Sequence, residues 1–190
     1  MDTLELLAHP VRLRVVHAMS GGRTLTTSQL CARMPDISKA TVYRQVGLLA
    51  EGGVLEIDGE QRVRGAVERT YRLRGELALI DAETAASASL EDHRRVFATA
   101  MATLIAEFNV FLDRGHGGSI AESVGYRQHA LWLSREELAD MISELRGTIV
   151  ARMANEPTPE RAQYLLSPIL FPLEEPAAQA RAERGPGVTP

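Results

Sequence analysis

The 190-residue chain is 45 % hydrophobic and 24 % charged with a net charge of −4, the balance of a globular chain with enough apolar material for a core. No uninterrupted apolar run approaches the roughly 18 residues that cross a bilayer, and the acidic start is unlike a signal peptide, so a cytoplasmic protein without a membrane partner is expected. The single cysteine, Cys31, excludes an internal disulfide and a multi-cysteine metal site.

Charge divides unevenly along the chain. Residues 1–75 hold eleven Lys/Arg against eight Asp/Glu, whereas residues 76–190 hold ten against seventeen. A positive N-terminal part suits a phosphate-bearing partner, and an acidic remainder faces away from it.

In chain order, Thr3 to Ala8 reads as a short helical turn, and His9-Pro10 resets the backbone for a new helix. Val11, Val15, Ala18 and Met19 give that helix its apolar face, with Arg12 and Arg14 placed outside. Thr26 or Thr27 caps a short helix that Pro35 ends. Ser38 then caps a helix through Leu49 whose buried side is Val42, Val46 and Leu49. Ala40, Arg44 and Gly47 point the other way, flanked by Thr41 and Tyr43, with Lys39 at the tip. Arginine reaches guanine bidentately, while hydroxyls and the first N–H groups hold phosphate, so this outer half suits a DNA major groove. Gly52-Gly53 stops the helix. Strand patterns follow at Val54–Ile57 and Arg62–Arg64, a turn at Gly65-Ala66-Val67, and a return through Leu73. Val63, Tyr71 and Leu73 are set inward, and Arg62, Arg64, Arg69, Arg72 and Arg74 crowd the hairpin surface, where they grip phosphate or enter the minor groove.

His9-Pro10-Val11-Arg12-Leu13-Arg14-Val15-Val16, Ser38-Lys39-Ala40-Thr41-Val42-Tyr43-Arg44-Gln45-Val46 and Leu49-Ala50-Glu51-Gly52-Gly53-Val54-Leu55 resemble three motifs of ArsR-like winged helix-turn-helix transcription regulators: the "HPxRLxIL" opening, the "SxxTVYRHL" recognition helix and the "LxxAGLL" that follows it. Gly52 stands where that last motif carries Ala. The resemblance covers roughly residues 4–74. It implies a homodimer on double-stranded DNA, with Ser38, Lys39, Thr41, Tyr43 and Arg44 as groove and phosphate contacts around Ala40, and with Arg62, Arg64 and Arg69 serving the wing. The thiolate metal box of the metal-sensing members has no counterpart beside Cys31, so no metal or other cofactor is expected.

Residues 76–89, rich in Ala, Ser and Thr, read as a linker. From Leu90 a long helix carries Phe97, Met101, Leu104, Phe108 and Phe111 at heptad-like spacing, a stripe that either pairs with its twin or roofs its own chain. Tyr126 to Leu133 alternates as a strand, with Tyr126, Gln128, Ala130 and Trp132 on one face. Ser134 to Glu137 is a capping box opening a helix that runs to about Asn155 and buries Leu138, Met141, Ile142, Leu145, Ile149 and Val150. A second strand falls around Tyr164–Leu166 and Ile169–Phe171. Tyr126, Gln128, Trp132 and Tyr164 are the polar-tipped residues to seek at a pocket for a small-molecule effector.

The fold expected is mainly α with small β (α+β): a winged helix-turn-helix at 1–75, a linker at 76–89, a dimerisation and effector-sensing domain with a small α+β unit at 90–173, and a disordered tail at 174–190. The function expected is a homodimeric, DNA-binding transcriptional regulator acting as a repressor. The alternative is a winged-helix protein-interaction module without DNA binding. No nucleophile elbow, phosphate-binding glycine loop or Ser/His/Asp grouping marks an enzyme.

Overall fold

The computed structural model describes residues 3–63, 65–75, 82–114 and 124–174. Helices α1 (Thr3–Leu7) and α2 (Pro10–Met19) meet at His9, whose Nδ1 accepts from Val11 N at 3.2 Å and so caps α2. A short strand β1 (Thr24–Thr26) leads into α3 (Thr27–Arg33). Thr26 serves both elements: it ends β1, and with Gln29 it forms a full capping box on α3. That double use hides β1 from sequence reasoning. Helix α4 (Lys39–Glu51) starts at Ser38, whose side chain accepts from Thr41 N, and the chain leaves it through Gly53 at φ 76°. Gly52 has a different reason to be glycine, because a Cβ there would overlap the Leu6 side chain. Strands β2 (Leu55–Val63) and β3 (Ala66–Leu73) form an antiparallel hairpin, turned at Gly65 with φ 86° and bulged between Ile57 and Gly59. The sheet order is β1-β3-β2.

Leu6, Val15, Met19, Leu30, Val42 and Leu49 are fully enclosed in a core that α1 to α4 share with Leu25 and Leu55 from the sheet. This is an α+β winged helix-turn-helix. Tyr71 and Leu73 pack against the core as expected, whereas Val63 stands exposed near the hairpin tip.

The arginines of α2 overturn the expected outward placement. Arg12 and Arg14 are both buried, Arg14 to 1 % exposure. Arg12 donates from Nη2 to Glu5 O at 3.0 Å. Arg14 donates from Nη1 and Nη2 to the two carboxylate oxygens of Asp36 at 2.5 and 2.9 Å, and from Nε to Glu107 at 3.0 Å. A guanidinium with its fork matched to one carboxylate and its flank to a second is tolerable in a core.

Helix α5 (Ala82–Ser87) lies within the expected linker, and α6 (Leu90–Asp113) opens on a capping box of Ser89 and Asp92. By length and composition α6 is apolar enough to cross a membrane. In this structure it packs on α2 through Thr99, Thr103 and Val110, with Glu107 reaching Arg14. Thr103 satisfies its hydroxyl by donating to Thr99 O at 2.8 Å.

Helix α7 (Arg135–Met153) carries the expected capping box, with both Ser134 and Glu137 bonds made. Its expected buried side stays open: no residue of α7 is buried, and Ile142, Leu145 and Val150 are exposed. The strands expected at 126–133 and 164–171 do not form: neither stretch has regular secondary structure, and among the described residues the only sheet is that of the head.

Burial opposes the Arg14 charge, yet Asp36 and Glu107 outweigh it and hold the guanidinium above its ordinary pKa. In return, the hydrogen bond from Arg14 holds the Asp36 carboxyl below its ordinary value of 3.8. A depressed carboxyl stabilises the fold fully above its unfolded pKa, and this contribution is lost as pH falls through the folded value. Asp36→Ala is therefore expected to cost roughly 2–4 kcal/mol at neutral pH. In urea denaturation run at falling pH, the gap to the parent should hold down to about pH 4 and close below it.

Candidate nucleic-acid interface

Helix α4 presents two unlike faces. Val42, Gln45, Val46 and Leu49 are buried, while Ser38, Lys39, Ala40, Tyr43 and Arg44 are exposed and Thr41 is half-buried. Neither Lys39 nor Arg44 has a carboxylate at ion-pair distance among the described residues. Ser38 and Thr41 bond to each other, hydroxyl to hydroxyl at 2.8 Å, besides the capping bond from Thr41 N. They close the first turn of the helix and keep lone pairs on its outer side. The Tyr43 hydroxyl lies 3.5 Å from Ser28 Oγ on α3, which brings Ser28 to the same surface. Ser28 had no distinguishing pattern in the sequence, because a hydroxyl early in a short helix reads only as capping.

His9 borders this surface. Its pKa is lowered, first by burial and then by the charges of Arg12 and Arg44. The imidazole that caps α2 is thus held neutral beside the exposed cation of α4.

The wing differs from the expected crowd of arginines. The antiparallel register sets the acids of β2 against the arginines of β3, Glu60 opposite Arg69 and Glu56 opposite Arg72. Arg69 bonds Glu60 at 2.8 Å, Arg74 bonds Glu56 at 2.9 Å, and Arg72 pairs with Asp58. Counting arginines along the sequence overlooks the acids that the hairpin folds onto them. Such exposed pairs add little stability, but they cancel much of the positive field of β3. Arg62 lies opposite Val67 towards the hairpin end, exposed and without an acidic partner among the described residues. Arg64 lies outside the described residues. The uncompensated cations of the described head surface are therefore Lys39, Arg44 and Arg62, with Arg33 at the end of α3 and Arg23, which meets only the neutral Gln163.

The residues expected at an effector pocket take other positions. Phe97 is exposed, and Met101, Leu104, Phe108 and Phe111 are half-buried. Phe97 meets Phe171 edge-on at 6.5 Å, and Phe108 meets Tyr126 edge-on at 5.9 Å. Tyr126, Gln128, Trp132 and Tyr164 are all exposed. A cavity of about 260 Å³ lies instead between α1, α2 and α6, beneath Leu165–Ser167, and of the expected residues it includes Leu104. Leu13, His17, Thr99 and Thr103 also line it. Burial lowers the His17 pKa, and the buried Nδ1 has no hydrogen-bond partner. Gln163 straps the outer wall to the head, donating to His17 O at 2.6 Å and accepting from Arg23 at 2.7 Å.

Residues 7–58 match the family model of a helix-turn-helix domain. The match runs from the end of α1 through α4 and into β2, stopping short of the hairpin turn. No curated protein matches the chain.

Removing the Arg44 charge should let His9 hold its proton more easily. Arg44→Ala is expected to raise the His9 titration midpoint towards 6.5, read by NMR of the ring protons, while leaving the sense of the burial effect unchanged.

Proposed function

We propose that this chain is a sequence-specific DNA-binding transcriptional regulator that acts as a homodimeric repressor. The observation that carries this reading is the exposed outer half of α4, where Lys39 and Arg44 have no acidic partner among the described residues and stand beside Ala40 and Tyr43. A small residue lets the helix approach base edges, Arg44 reads a guanine, and Lys39, Ser38 and Thr41 hold the backbone. Arg62 extends the contact from the wing. Two copies set their α4 helices about one DNA turn apart, roughly 34 Å, and occlude a promoter. Residues 1–75 form the reading head and 90–173 the dimerisation and sensing part.

A small, mostly apolar effector fits the cavity between α2 and α6, which Leu13, Thr99, Thr103 and Leu104 line. Its occupancy tunes DNA affinity only through different affinities for the two dimer shapes.

The test is a mobility shift on DNA flanking the chain's own gene. Arg44→Ala and Arg62→Ala are each expected to weaken binding and reduce the slope of log K against log salt by about one, whereas Arg72→Ala leaves it near the parent value. No shift at low salt contradicts DNA binding and favours a protein-interaction module.

A further inference from the structure

Residues 124–174 hold a surface that one chain leaves bare. Fifteen large apolar side chains between Tyr126 and Leu173 are exposed, including Leu131, Trp132 at 88 %, Leu166, Leu170 and Leu173. Four of them, Tyr126, Leu165, Leu166 and Phe171, face α6 or the cavity beside it; the other eleven, at roughly 100 Å² apiece, total about 1,100 Å². That exceeds the roughly 800 Å² per partner of a stable interface and the largest apolar patch on a typical monomer. The backbone agrees. Residues 126–133 and 162–172 form neither helix nor strand, and among the described residues their N–H and C=O groups make no backbone hydrogen bond. Unpaired backbone groups flanked by exposed apolar side chains invite pairing with another chain. The inner side is already held to its own chain, by Phe108 on Tyr126, Phe97 on Phe171 and Gln163 on His17. The bare side is the outer one.

We propose that this outer face is covered by the same face of a second copy. The arms of two chains pack against each other across a twofold axis, and Ile142, Leu145 and Val150 of α7 close over the join. The inference rests on the dimeric reading above and states how that dimer is built. Three observations favour a second copy over another occupant. The bare area is that of a stable dimer rather than of a peptide groove. Two stretches of unpaired backbone and one helix face are open together, which a twofold contact satisfies reciprocally, whereas one added peptide reaches a single stretch. The arm is also close to neutral, five arginines against seven acids in 124–174, so two copies approach without strong repulsion.

Trp132 is the only tryptophan, so the unmodified full chain reports on the proposal directly. Light scattering after size exclusion is expected to give twice the 20.8 kDa chain mass, with tryptophan emission blue-shifted and shielded from iodide. Leu131→Asp and Leu170→Asp should halve that mass and expose Trp132, with the circular dichroism of the helices retained. A monomer with exposed Trp132 gives the face to a different protein. A monomer with shielded Trp132 gives it to residues 175–190 of the same chain. A dimer with exposed Trp132, or aspartate variants that remain shielded dimers, places the contact on another surface. Each of these overturns the arm pairing. A mobility shift on the same samples separates the two readings: a shielded dimer that shifts no DNA defeats only DNA binding, and an arm monomer that still shifts DNA defeats only the arm.

Discussion

One guanidinium joins three parts of this chain that are far apart in sequence. Arg14 projects from α2, grips Asp36 in the turn between α3 and α4, and reaches Glu107 on α6. Burying a charge costs several kcal/mol unless it is paired with good geometry, so the arrangement is stable only while both carboxylates stay in place. The turn before α4 sets where Ser38 caps the helix, and hence where Lys39 and Arg44 point. Arg14 is therefore a direct side-chain link between α6 and the turn that precedes α4. The cavity is bounded by the same two helices, α2 and α6, and His17 lies one turn along α2 from Arg14.

The charge pattern divides labour within the head. The β3 arginines answer acids on β2, which knits the hairpin while leaving it nearly neutral. Uncompensated cations sit instead on the outer half of α4, at Arg62 and at Arg33. A head with few free cations relies on their position, so the placement of α4 by Asp36 and Arg14 matters more than total charge.

Much of the head was legible because its signals are local. Pro10, Thr26 and Ser38 mark helix starts, Gly53 and Gly65 mark reversals with positive φ, and the 3.6-residue spacing of Val42, Val46 and Leu49 marks the inward face. What failed was long-range. Helical periodicity assigns a charge to the outside, so Arg12 and Arg14 were misplaced; only the positions of Asp36 and Glu107, 22 and 93 residues away, make the inside tolerable. Likewise, α6 buries Thr99 and Thr103 against α2, because small side chains permit close approach, while its more apolar stripe faces the arm. The strand patterns at 126–133 and 164–171 are present in the residues, but a strand needs a neighbour to become part of a sheet.

The link from α6 to the start of α4 is tested most directly by amide hydrogen exchange in Glu107→Gln, a change that keeps the side-chain shape and removes one charge from Arg14. Exchange is expected to quicken at the amides from Ile37 to Val42, which lie far from residue 107 in sequence, while those of β3 stay as in the parent. Unchanged exchange from Ile37 to Val42, with quickening confined to α6, would contradict the coupling through Arg14.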